Sequence, residues 1–287
     1  MKVLPLVVAA FTLPAHAVSL IDLVFDPGVT LSQQQQFQDA ANFWNSTIQG
    51  YDLSFDSTGQ PRPHSLTINV SIPPIDGVGG ILGGASPDTA VYYDNNPFGA
   101  PTLALLYANS GTMEFDAADV SNMMANNTFF GVVLHEMAHV LGIGTLWTYN
   151  TDLAGAGTYN LYTIGSGQYF GPHALAGWQN EFGQAGASYV PVELGGSGGT
   201  ANGHWNEVDG GAGATGFVSN ITGLDFSREL MTGWASGQFF LSTVTLGGLD
   251  DLGYIVDYSK AGLIPEPATA MLVVAASGLA FRRRRGR

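Results

Sequence analysis

His135-Glu136-Met137-Ala138-His139-Val140-Leu141-Gly142 reads H-E-x-x-H-x-x-G. Two histidines four apart on an α-helix share a face, so both imidazoles can reach one metal ion. Glu136 lies beside them, placed to take a proton from a water that the metal activates. The flanking residues favour a helix over 128–141. Thr128 is the candidate N-cap, and Phe130, Val133, Leu134, Met137, Val140 and Leu141 supply an apolar body. Gly142 ends the helix, at a position where a positive φ costs glycine little. A helix this apolar is buried on most sides, which turns His135, Glu136 and His139 into polar groups in a core. That burial is costly unless they are paired or hold a metal, and zinc is the ion the motif suits.

Catalytic zinc takes three protein ligands and keeps a further position open. The third ligand must come from outside the helix. In the compact form H-E-x-x-H-x-x-G-x-x-H it follows at once, but here that position is Thr145, a poor zinc ligand. His64, His173 and His204 remain as candidates. Glu181 is the carboxylate alternative, although Gly183 and Gly186 argue against the helix such a ligand needs.

Away from the motif the pattern mixes helices and strands. Phe37, Ala41, Trp44 and Ile48 follow helical spacing, which predicts a helix over 31–48 with Ser32 as N-cap. Residues 65–72 alternate as a half-buried strand, and 102–107 and 112–115 read as further short strands. The glycine-rich stretch 76–84 is a loop without a phosphate-cradling pattern. Residues 116–124 read as a helical turn. From 144 to 221 there is little periodicity, but Trp147, Tyr149, Tyr169, Trp178, Phe182 and Trp205 argue for packing. A last helix fits 242–252 despite Gly247 and Gly248, with Asp250 and Asp251 on a solvated face.

Composition narrows the function classes. The chain has 287 residues, 39 of them glycine, no cysteine, and a net charge of −14. Five arginines lie within 282–287, so the centre keeps only Arg62, Arg228 and Lys260 as cations. Nucleic acid and anionic lipid are therefore poor partners. The carboxylate surplus makes Ca²⁺ a second candidate ion, and disulfides are excluded.

The two ends read as targeting segments. Residues 1–17 have Lys2, an apolar run and Ala15-His16-Ala17, a secretory signal with cleavage after Ala17. At the other end stand Pro265-Glu266-Pro267, fourteen apolar or small residues over 268–281, and the arginine cluster. Fourteen is short of the ~20 a spanning helix needs. This end resembles the PEP-CTERM sorting signal of Gram-negative bacteria. That resemblance implies a transient inner-membrane anchor, processing by an exosortase-type enzyme, and a body delivered to the cell surface or extracellular matrix. By length the body, 18–264, suits one large domain or two lobes sharing a cleft.

A second resemblance rests on His204-Trp205, on Glu229-Leu230-Met231-Thr232-Gly233, on Val190-Pro191-Val192-Glu193, on Leu249 to Tyr254, and on Gly111 to Asp119. Together these resemble a leishmanolysin-type metzincin, in which a long insertion separates the helix glycine from the third histidine. The resemblance implies that His135, His139 and His204 ligate zinc, that Glu136 is the general base, and that Met231 is the floor of a Met-turn. It implies an α+β fold: a lobe with a twisted mixed sheet and the active-site helix, then a largely irregular lobe ending in a helix, with the cleft between the two lobes near 142–145. The expected activity is endopeptidase action on protein or peptide, held as an added strand along 112–115 or 89–93. Two other readings are a non-catalytic matrix protein with structural zinc and a metal-dependent hydrolase of another substrate. The intact Glu136 speaks against the first of these.

Overall fold

The computed structural model describes residues 20–52, 55–56, 65–94, 104–148, 152–153, 157–158, 161–196, 198–208, 211, 213–234 and 237–265. The signal at 1–17, the sorting segment beyond Pro265, Tyr149 and His64 lie outside them.

The first half of the chain builds a sheet backed by helices. Strand β1 (Ile21–Phe25) leads into helix α1 (Leu31–Thr47) and a short strand β2 (Ile48–Tyr51). The cap of α1 is Thr30 and not the expected Ser32. Thr30 Oγ1 accepts from Gln33 N at 3.4 Å, and Gln33 Oε1 accepts from Thr30 N at 2.7 Å, a capping box that puts the cap two residues earlier, keeps the expected start at Leu31 and leaves Ser32 in the first turn. Strands β3 (Phe55–Asp56), β4 (Leu66–Ser71), β5 (Gly83–Asp94) and β6 (Ala104–Phe115) follow. They form a mixed five-stranded sheet in the order β1-β4-β6-β5-β3, with β1, β4 and β6 parallel and β5 antiparallel to β6.

The two short strands expected at 102–107 and 112–115 are therefore one long strand, β6. It lies inside the sheet, paired to β4 on one side and β5 on the other. This removes 112–115 as a free edge for substrate. On the far side of β6, most of β5 is left as an open edge among the described residues, since β3 pairs only with Tyr93 and Asp94.

Helix α2 (Ala117–Ala125) replaces the expected helical turn, and Asp116 starts it. The Asp116 carboxylate accepts from Ala118 N at 2.8 Å and, across the chain, from Asp76 N at 2.7 Å and Gly77 N at 2.9 Å. It thus fastens the glycine loop 76–82 to the helix. These backbone donors, Ala118 foremost, hold the carboxyl well below the usual range, at about 2. A depressed carboxyl contributes its full stabilisation above its unfolded-state value of 3.8, and that contribution is lost as the pH falls from there through about 2. Asp116→Asn is expected to melt below the wild type at pH 5 and above, and to converge with it near pH 2. Melting curves at stepped pH check this, and a constant gap across the range would contradict it.

Helix α3 (Phe129–Leu141) carries the H-E-x-x-H stretch. It packs on the sheet and on α1. Trp44 Nε1 donates to the Leu134 carbonyl at 3.2 Å, and Phe37 meets Phe129 and Phe115 edge-on with centroids 5.5 and 5.2 Å apart. Thr128 does stand at its N-cap, but its side chain donates to the Met123 carbonyl at 3.4 Å and makes no cap hydrogen bond. Gly142 ends the helix at φ 119°.

The second half is mostly irregular, as expected, but it contains helix α4 (Pro172–Glu181), which Gly183 and Gly186 had argued against. Both glycines fall after the helix and do not interrupt it. The final helix α5 (Thr243–Asp251), capped by Ser242, packs against α4 at very short range. A Cβ on Gly247 would lie within 2.5 Å of Ala174 N, so this glycine is in a helix because backbone crosses there. Asp251 is buried, not on a solvated face; it accepts from His173 N at 2.9 Å and Ala174 N at 3.0 Å and so caps α4. The aromatics pack as two groups, Trp147-Tyr169-Trp205 and Trp178-Phe182-Phe226.

Candidate metal centre

Three histidines meet at the foot of a cleft. Nε2 of His135 lies 3.0 Å from Nε2 of both His139 and His204, and the His139–His204 pair is 3.1 Å apart. His135 and His139 come from successive turns of α3. His204 arrives from the far end of the insertion, on an extended segment tied to Met231 and Val192 on either side of Trp205.

Each ring is turned by a backbone carbonyl. His135 Nδ1 donates to Leu230 O at 2.6 Å, His139 Nδ1 to Ile143 O at 2.8 Å, and His204 Nδ1 to Thr200 O at 2.9 Å. A carbonyl oxygen only accepts, so the single N–H of each neutral ring is on Nδ1 and each Nε2 presents a lone pair. Burial, reinforced by the neighbouring imidazole, holds all three at about 3, so they are neutral at pH 7. Three lone pairs facing one another at 3.0 Å cannot hydrogen-bond. They repel unless a cation sits among them. A regular tetrahedron with Zn–N bonds of ~2.05 Å separates its nitrogens by roughly 3.3 Å, so the donor set and its spacing suit zinc. Among the described residues this is the group of His, Asp or Glu side chains close enough to share an ion.

The return of the chain to this point depends on Gly144, at φ 75°. Its Cα approaches Gly203 so closely that an added Cβ would fall 2.8 Å from the Gly203 carbonyl carbon and 2.9 Å from its Cα. Two glycines back to back thus allow the insertion to deliver His204 beside the end of α3. Thr145 is not a ligand; its Oγ1 donates to the His139 carbonyl at 2.6 Å and closes the helix end.

The cleft has a volume of about 1000 Å³. One wall is Leu82, Gly83, Gly84 and Ala85, where the loop enters β5. The base is Val132, His135, Glu136 and His139, and the facing wall includes Gly203, His204, Gly233, Trp234 and Phe239. Gly144 and Thr145 line it too. The strand edge that faces the site is thus 83–85, not 89–93. Glu136 is nearly buried at the base, and burial pushes its carboxyl up to about 8.

The other sequence candidates lie elsewhere. His173 sits 3.0 Å from Asp251 at the start of α4. Glu181 is buried and accepts from Ser219 Oγ, Thr243 N and Thr243 Oγ1 at 2.6, 2.7 and 2.6 Å, which ties α4 to α5. Met231 is fully buried directly after the Leu230 carbonyl that holds His135. Sequence reasoning missed Glu229, also fully buried. Its one signal was a charge inside the otherwise apolar and small run Glu229 to Gly233.

A buried three-histidine site on an H-E-x-x-H helix, opening onto a cleft with a strand edge, defines a zincin-type metallopeptidase architecture. The family model described as leishmanolysin, Peptidase_M8, matches residues 106–273, more than half of the chain, and the chain belongs to that family of metallopeptidases. No curated protein matches the chain.

Proposed function

We propose that this protein is an exported zinc endopeptidase. The observation that carries the reading is the convergence of three unprotonated Nε2 atoms at 3.0–3.1 Å beside Glu136 in an open cleft. His135, His139 and His204 hold the ion. Bound zinc supplies Lewis acidity toward a water and toward the scissile carbonyl. Glu136 accepts the proton of the attacking water and delivers it to the leaving amine. The edge at 83–85, unpaired on its outer side among the described residues, takes the substrate backbone as an additional strand beside the site. Glycines at 83 and 84 leave that edge unobstructed.

The same reading includes the signal at 1–17, a peptidase body over 18–264, and the segment 265–287 as a sorting tail cut by an exosortase-type enzyme. Ca²⁺ remains a second candidate ion without an assigned site. Nucleic acid is not a partner of a chain this acidic.

Zinc content and casein cleavage, with and without a chelator, test the proposal together. His204→Ala is expected to lower bound zinc well below one per chain at micromolar zinc and to remove cleavage. A zinc-loaded wild type that cuts neither casein nor a peptide library would refute the endopeptidase reading, and full zinc affinity in His204→Ala would remove that ligand.

A further inference from the structure

Glu229 is a fully buried carboxylate with no role in the chemistry above. Every neighbour that contacts its oxygens is a donor. Thr245 Oγ1, Ser242 Oγ and Ser242 N donate to Oε1 at 2.6, 2.8 and 3.1 Å, and Met231 N donates to Oε2 at 2.6 Å. The last bond matters most for the metal site. Met231 N–H and Leu230 C=O are the two ends of one planar peptide group. That same carbonyl accepts from His135 Nδ1 at 2.6 Å. The carboxylate, the peptide and the imidazole therefore form one line of hydrogen bonds ending at His135 Nε2.

A second line leaves Glu229 toward His204. Thr245 Oγ1, which donates to Glu229, accepts from Trp205 Nε1 at 2.9 Å, and Trp205 follows His204 in the chain. Trp205 N also donates to the Met231 carbonyl at 3.0 Å. One carboxylate thus grips both a ligand on α3 and the segment that brings the ligand from the insertion.

We infer that Glu229 is a positioning residue for the metal: acting through the Leu230–Met231 peptide, it fixes the ring and tautomer of His135, and through Thr245 and Trp205 it holds the His204 segment in place. Histidine ligands commonly donate their second N–H to a carboxylate that orients them and raises their basicity. Here a peptide group is interposed between carboxylate and imidazole, and hydrogen bonds in series polarise one another. Glutamine cannot replace it. If the Gln oxygen keeps the three donors on one side, its NH₂ faces Met231 N–H, and two donors at 2.6 Å must part. Turning that N–H swings the Leu230 carbonyl away from His135, because the peptide plane moves as a unit.

The inference rests on the three histidines binding a metal, and the test separates the two ideas. Full-chain wild type, Glu229→Gln and Thr245→Val are compared by zinc affinity under chelator competition, by the visible spectrum of bound Co²⁺, and by the ¹⁵N and N–H signals of the His135 ring in the metal-free protein. In Glu229→Gln the expected results are zinc affinity lower by roughly 10-fold, a changed Co²⁺ spectrum, and loss of the protected His135 Nδ1–H signal. Thr245→Val is expected to weaken zinc less and to leave the His135 signal in place. A folded Glu229→Gln with wild-type affinity, spectrum and ring signal would overturn the inference, as a merely structural role predicts. Should Glu229→Gln not fold, Thr245→Val decides, and an unchanged zinc affinity and Co²⁺ spectrum there overturns it. A wild type that binds neither ion would instead refute the metal reading, while the ring signals still report the positioning.

Discussion

Glu136→Ala is expected to keep zinc at one per chain and to lose about 10³-fold in casein hydrolysis, the usual weight of a general acid–base group. The separation follows from the geometry. The three nitrogens that face one another belong to His135, His139 and His204, and none of their Nδ1 contacts involves Glu136. Removing its carboxylate thus leaves the donor set and its carbonyl braces intact. Stability should not fall. Glu136 is nearly buried at the base of the cleft, where burial disfavours its charged form, so the fold bears a cost to keep it. Such a cost at a site is the pattern of a residue retained for chemistry. Zinc analysis, a melting curve and a casein assay on the same preparation check the prediction. Residual hydrolysis within tenfold of wild type would show that another group takes the proton. Zinc lost along with activity would show that Glu136 contributes to holding the ion.

Gly144→Ala is expected to dismantle the site without touching a ligand. The new methyl would meet the carbonyl carbon and Cα of Gly203 at 2.8 and 2.9 Å, and its oxygen closer still. Backbone cannot rotate away as a side chain can, so the segment that ends in His204 must move. The φ of 75° adds strain of its own, because an L residue pays roughly 1–2 kcal/mol there. With overpacking of about 1–3 kcal/mol on top, the total approaches 3 kcal/mol or more. Zinc affinity is expected to fall at least as far as in His204→Ala, since the displaced ligand leaves a strained chain behind it. Chelator competition and thermal melting measure the two effects. Wild-type zinc affinity in Gly144→Ala would mean that the insertion reaches the site by some route other than this crossing.

The local signals were read correctly where one element decided the outcome. The apolar spacing of α3, the pairing of His135 with His139 and the stop at Gly142 all follow from helical periodicity and glycine's tolerance of positive φ. The sequence reading failed where two distant segments had to meet. It split β6 in two and offered 112–115 as an edge, because its partners, 66–71 and 83–94, are set by pairing that no window contains. It took Asp251 for a surface residue because His173, whose N–H it accepts at the start of the helix it caps, is 78 positions away in sequence. It placed Gly247 in a helix with reluctance, for want of the backbone that crosses it. His204 was legible only through the neighbouring Trp205 and the Glu229 to Gly233 run, which no spacing rule connects to the helix.

What side-chain identity alone settled was the chemistry on offer: two candidate ligands and a candidate base on one helical face, no cysteine, few cations, and two histidines, His173 and His204, in the long stretch that follows the helix. Those are properties of side-chain identity and short-range periodicity. Folding is what brings His204 within 3.1 Å of the helical pair, sets which strand edge faces the cleft, and puts Glu229 behind the peptide holding His135. The braces on all three rings are backbone carbonyls, of Leu230, Ile143 and Thr200. Every residue has a carbonyl, so no letter in the sequence can mark the ones that folding brings to an imidazole.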